Sequence, residues 1–279
     1  MDPSTPTVNQ SSVSDQYLFR GTASKKGRHL FVSPQNSSMK QLHYGRIILD
    51  AKMPQVTFQT GSHEAALMVM SGACVVRVND EKIAIATHDA LYVPRGSSVE
   101  VSTTGSVDIM ECSAEVEGNY PLQVVRYADV QKDDKLRFPT GNDTSRRTIN
   151  IQIGNNVKAG RLLAGFTCSQ PGNWTSWPPH EHSQMLEELY VFFDMPPPAY
   201  GVQFVYTNRD TPEFVGMVSD GDAVVVPKGF HPNVACPGHS INFVWMMAAQ
   251  REGADRQFGV VNVEPAFGAV NSGLEASRK

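Results

Sequence analysis

The segment from Pro171 to Asp194, PGNWTSWPPHEHSQMLEELYVFFD, constrains the fold most, because it places His180 and His182 two positions apart ahead of a run of strand-forming residues. In an extended backbone both rings project from one face of a sheet while Glu181 points to the other. That geometry suits two ligands on one metal ion. Glu187 or Glu188 then opens the strand LYVFF, where a carboxylate at the strand mouth can turn toward the same ion. A third histidine is supplied by DGDAVVVPKGFHPN, which reads as a turn at Gly221 and Asp222, a buried strand, a second turn from Pro227 to Gly229, and His231. The remaining histidines, among them His29, His43, His88 and His239, read as hydrogen-bonded core or surface residues.

The order His-x-His, Glu, Gly-Asp turn, strand, Pro-x-Gly, His resembles the two sequence motifs of the cupin superfamily. The resemblance implies small antiparallel barrels and a divalent ion held by His180, His182, Glu188 and His231. Cupin spacing, counted back from Met195, selects Glu188 and keeps Glu187 in reserve. One ion per chain is expected, zinc or manganese first, with iron and nickel compatible with three imidazoles and a carboxylate.

A second barrel is legible upstream. From Gly45 the runs GRIILDA, VTFQT, EAALMVMSG, ACVVRVND, KIAIATHDALYVPRG, SSVEVST and VDIMECSA follow at the short intervals of an antiparallel barrel. HDALYVPRGSSV parallels GDAVVVPKGFHP, yet Ser97, Ser98 and Val99 stand where a histidine is needed, and His63 with Glu64 makes no His-x-His pair. The expected architecture is therefore all-β, a bicupin of two antiparallel jelly-roll barrels. Residues 1–20 form a flexible tail, 21–125 a barrel without a metal site, and 126–279 the metal-binding barrel. A chain of 279 residues accommodates two domains of about 100 to 150 residues each.

A net charge of −4, with no basic stripe interleaved with aromatics, argues against nucleic acid as a partner. No window approaches the roughly 18 apolar residues of a membrane span, and the N-terminus lacks a signal-peptide pattern. Cys74, Cys112, Cys168 and Cys236 show no paired spacing and read as free thiols. These features point to a cytoplasmic protein acting on a small molecule, with a homo-oligomer compatible.

GRLLAGFTCSQPGNWTSWPPHEH, LEELYVFF, YGVQFVYT and DGDAVVVPKGFHP resemble the 5-deoxy-glucuronate isomerases of inositol breakdown. SRRTIN and INFVWMMA resemble the related 5-keto-4-deoxyuronate isomerases of pectin breakdown. The resemblance covers most of the chain after Gly45 and implies aldose–ketose isomerisation of a deoxy-uronate, with 5-deoxy-glucuronate favoured. The same ligand set also serves a cupin dioxygenase, and a bicupin that only binds sugar is the non-enzymatic alternative. The proton-shuttling group is sought among Glu181, Glu187, Tyr190 and Tyr206. A sugar acid needs a countercharge, for which Arg146, Arg161 and Lys228 are candidates; Arg146 and Arg147 lie either on a solvated edge or at the barrel mouth. Gln203 is expected to enter the cavity, and Trp174 and Trp177 to wall it.

Overall fold

In the computed structural model, which describes residues 16–268 and Leu274, nearly all regular structure is antiparallel strand, and Tyr127–Val130 is a single short helix. The strands form where Val, Ile, Leu and aromatic residues cluster, since their branched or bulky side chains fit a pleated, half-buried surface.

The first barrel is built on a sheet ordered Gln123–Val125, Ala90–Val93, His63–Val78, Val107–Glu115, His43–Leu49 and Gly27–Val32. The far half of the long His63–Val78 strand also pairs with Glu81–Ala86 and Ser98–Ser102, the latter carrying Gln55–Gln59. Its interior is filled by Ile47, Leu67, Val76, Leu91, Val101, Ile109 and their neighbours, a continuous apolar cluster. Such a core packs about as densely as an organic crystal.

The second barrel sets a seven-stranded sheet against a four-stranded one. The larger runs Leu18–Phe19, Ala223–Val226, Leu186–Phe192, Asn242–Ala249, Leu162–Ser169, Arg147–Ile153 and Arg137–Thr140; the smaller runs Trp174–Thr175, Asn233–Ala235, Gly201–Val205 and Phe214–Val218. Gly165 faces Trp245, and a Cβ there would stand 2.3 Å from the indole and 2.2 Å from the Asn150 carbonyl. The missing side chain lets the indole lie flat across the barrel interior.

One short strand crosses between the barrels. Leu18–Phe19 precedes the first barrel in sequence yet pairs with Ala223–Val226 of the second, whereas Gln123–Val125, the last strand before the second barrel, stays with the first and pairs with its Ala90–Val93. Residues 1–15 of the expected tail lie outside the described residues, but Leu18 and Phe19 are a sheet edge rather than free chain. The barrels are also clasped by reciprocal carboxylates. Glu64 of the first accepts the backbone N–H groups of Gly160, Arg161 and Leu162 at 2.7 to 2.8 Å. Glu187 of the second accepts those of Lys40, Gln41 and Leu42 at 2.6 to 2.8 Å. Both carboxylates are buried.

Candidate metal centre

His180 opens a two-residue strand, His180–Glu181, that pairs with Asn262–Val263, so the polar C-terminal stretch contributes a strand that holds the histidine segment in place. The extended backbone separates the side chains as expected. His180 and His182 are buried, while Glu181 turns away and accepts hydrogen bonds from the Asn262 amide and the Ser183 N–H. Glu188 sits in Leu186–Phe192, opposite Val226, and His231 follows the turn after that neighbouring strand.

His182, Glu188 and His231 bring one donor atom each within 4.8 Å of one another. Nε2 of His182 and Nε2 of His231 both lie 3.0 Å from the same Glu188 oxygen. His180 flanks the cluster, its ring centroid 5.0 Å from that of His231. Each ring is oriented by its other nitrogen, which donates to a backbone carbonyl: Nδ1 of His180 to Pro178, of His182 to Leu186, and of His231 to Gly229. This is the outer-shell pattern that fixes a metal-ligating imidazole, because it places the hydrogen on Nδ1 and leaves the Nε2 lone pair for the ion. Without an ion, those lone pairs would converge on a carboxylate. His231 Nε2, although near Glu188, is a buried nitrogen with no hydrogen-bond partner among the described residues. A divalent cation satisfies all of these atoms together, so the donor set fits a metal.

The electrostatics agree. Burial works against ionisation of Glu188, but the imidazoles of His182 and His231 beside it bring its carboxyl down to about 2. Burial, reinforced by His231, depresses His180 to about 3, keeping it neutral. Both are the states that bind metal.

A cavity of about 50 Å³ adjoins the ligands, lined by His180, Glu188, Tyr190, Ser176, Thr167 and Arg147, with Phe243, Trp245, Phe258 and Leu274 among its apolar walls. The Tyr190 hydroxyl and Ser176 Oγ are 2.6 Å apart. Burial, then the charge of Glu188, raises the Tyr190 pKa well above its usual 10, while Arg147 pulls it back. Tyr190 is therefore a neutral phenol facing both groups.

Other expected site residues lie elsewhere. Glu187, one place before Glu188, faces the opposite side of its strand and is engaged in the barrel clasp, away from the cavity. Tyr206 donates to Glu264, which also pairs with Arg209, in a separate cleft. The Trp177 ring lines that same cleft beside Trp174 and Phe267, and only its carbonyl, bound by Arg147, relates it to the cavity. Gln203 stays below the site, where its amide donates to the carbonyls of His231 and Pro232 and so braces the ligand loop. Arg146 is exposed and paired with Asp143. Arg161 donates to the carbonyls of Glu115, Ala249 and Gln250, and Lys228 is exposed near Glu213. Arg147, Ser176 and Thr167 are the wall residues that stood outside the nominated set. Arg147 shares strand parity with Ile149, Ile151 and Ile153, a signal that marks it as inward-facing; Ser176 carries no comparable mark.

Comparison with known proteins is decisive on kinship: the model of the KduI/IolB family matches residues 17–263. The chain belongs to the KduI/IolB family. It is 28% identical over 241 residues to the 5-deoxy-glucuronate isomerase of Geobacillus kaustophilus, covering 80% of this chain and 85% of that one. The enzyme of the same name from Shouchella clausii is 28% identical over 205 residues, covering 67% of this chain and 74% of that one. Among solved structures, an IolB-like protein from Salmonella typhimurium superposes with a TM-score of 0.79 at 23% identity, over 90% of this chain and 97% of the other. Bacillus subtilis oxalate decarboxylase, described for its Mn(II) centres, gives 0.65 at 12% identity over 92% and 81%. These superpositions show the KduI/IolB chain to have the bicupin fold.

Proposed function

We propose that this KduI/IolB-family protein is an aldose–ketose isomerase of a deoxy-uronate, converting 5-deoxy-glucuronate to 5-dehydro-2-deoxy-gluconate, with one zinc or manganese ion held by His180, His182, Glu188 and His231. The observation that carries the chemistry is the convergence of His182, Glu188 and His231, with His180 beside them, on a cavity that also holds a neutral phenol. The family and its isomerase relatives supply the reaction class. When bound, the ion supplies a Lewis acid that stabilises negative charge developing on adjacent substrate oxygens. Glu188 as a carboxylate and His180 as a neutral imidazole hold their binding states across the neutral range. Tyr190 keeps its proton, so its O–H can donate to a substrate oxygen as the carbonyl shifts, with Ser176 Oγ as the partner that orients it. The apolar walls keep bulk water from the reacting carbons. The 5-keto-4-deoxyuronate is the second substrate reading, since the family spans both names.

The test follows conversion of both deoxy-uronates by NMR in deuterated water, comparing metal-loaded with metal-stripped protein. Conversion of 5-deoxy-glucuronate by the loaded form alone is expected. Failure to convert either acid with the site occupied removes the isomerase reading. Tyr190→Phe should lower kcat by about 10² or more while metal content stays unchanged.

A further inference from the structure

Three polar side chains line up across the smaller sheet of the second barrel. Asn233 stands opposite Thr175 on one side and opposite Gln203 on the other, so all three project from one face. Each is 0% exposed. Such a row is costly in a barrel interior unless every polar atom finds a partner, and here each does. Its direction is fixed from one end. The Gln203 Nε2 hydrogens meet only carbonyls, those of Phe204 at 2.8 Å, His231 at 2.9 Å and Pro232 at 3.2 Å. Gln203 Oε1 is then turned toward Asn233 and accepts from its Nδ2 at 3.0 Å. Asn233 Oδ1 accepts in turn from the Thr175 hydroxyl. Turning either amide over would set donor against donor and acceptor against acceptor along the row.

The two ends of the row reach the two loops that carry histidines of the centre. Gln203 holds the backbone of His231 itself, while the ring of His231 is held separately through the Gly229 carbonyl. Thr175 precedes Ser176, the partner of Tyr190, on the segment that runs on to His180. We propose that Gln203, Asn233 and Thr175 are positioning residues that keep the His231 loop and the Ser176–His180 segment at a fixed separation, so that the imidazoles stand in their metal-binding arrangement before an ion arrives. This rests on the reading of the site as a metal centre. The three do not line the cavity, so they act through His231 and Ser176. Outer partners of this kind tune a metal site without contacting the ion. A packing role and a positioning role part at Thr175: valine keeps its shape without the hydroxyl, and serine keeps the hydroxyl without the methyl.

The experiment titrates the metal-free full chain with Co(II), whose visible absorption reports ligand geometry, and follows the melting temperature of the same samples. Gln203→Met, which keeps the length of the side chain but removes its donor and acceptor, should weaken Co(II) binding by about tenfold or more and change the spectrum. Thr175→Val should bind Co(II) more weakly than Thr175→Ser, with the serine variant within about twofold of wild type. The crystal structure of metal-free Gln203→Met should show His231 Nε2 displaced from its 3.0 Å contact with Glu188. A lowered melting temperature with unchanged Co(II) affinity and spectrum in Gln203→Met, or weaker binding by Thr175→Ser than by Thr175→Val, overturns the proposal. If Gln203→Met does not fold, the Thr175 pair decides. Wild type that takes up no Co(II), while His231 still shifts in the metal-free Gln203→Met crystal, defeats the metal reading alone; no uptake and an unmoved His231 defeat both.

Discussion

At the scale of the residue, the centre depends on which nitrogen of each histidine carries hydrogen. The carbonyls of Pro178, Leu186 and Gly229 decide that in favour of Nδ1, so removing a ring should cost the ion rather than the fold. Elemental analysis of purified protein is expected to give one equivalent of divalent metal per chain, lost in His231→Ala and strongly reduced in Glu188→Gln. Retention of metal by both variants would relocate the site. The metal-free protein should also be acid-sensitive in a defined direction. The His180 ring, ordinarily near 6.5, is depressed by burial to about 3, so between those values the unfolded chain takes up a proton the fold refuses, and stability falls as pH drops. Glu188, at about 2 against 4.5, favours the fold above 4.5 and loses that contribution as pH falls through 2, the same sense. His182 is raised despite its burial, through its hydrogen bond to Glu188; its contribution is complete below 6.5 and fades as pH rises, a separate window. The melting temperature of chelator-stripped protein should therefore decline from pH 6.5 toward 3, and His180→Gln should flatten the decline. The convergence of His182, Glu188 and His231 was legible in the sequence because two turns and a strand alternation bracket them. Arg147 was half legible: nothing in the pair Arg146-Arg147 separates the two until the alternation of Ile149, Ile151 and Ile153 is counted back to the strand start.

At the scale of the element, the strand Leu186–Phe192 has consecutive carboxylates with different duties. Glu188 faces the barrel interior and the rings of His182 and His231, while Glu187 faces the other barrel and binds three amides of its Lys40–Leu42 segment. The pleat alone produces this division, since neighbours on a strand point to opposite faces. The Glu-Glu pair is plain in the sequence, but the Lys40–Leu42 segment that claims one member is not, because it lies far away in the chain. Replacing Glu187 or Glu64 by glutamine turns an acceptor-only group into one with a donor facing backbone N–H groups. Each change should cost about 3 kcal/mol, which lowers the melting temperature by roughly 6 to 12 °C at this chain length. Metal content at saturating ion should be unchanged in both. A Glu187→Gln protein as stable as wild type but unable to hold metal would reverse the assignments of the two carboxylates.

At the scale of the molecule, the pair of barrels was readable from strand spacing and from the missing histidine after Pro94 to Gly96. The crossing of Leu18–Phe19 was not, because a two-residue strand carries no periodic signal and acquires its partner only from the docked barrel. That docking makes the first barrel a working part: its amides hold Glu187, and its apolar interior backs the segment that carries them. The crossing strand also bears on where such a chain can be cut. A gene divided after Arg126 would yield an N-terminal piece whose Leu18–Phe19 lacks its partner and a C-terminal piece with Ala223–Val226 left as an open edge, inviting non-native association. Neither piece expressed alone should be soluble and folded, whereas the two produced together should find each other and recover one metal per reassembled pair, giving a split protein whose halves report their own encounter.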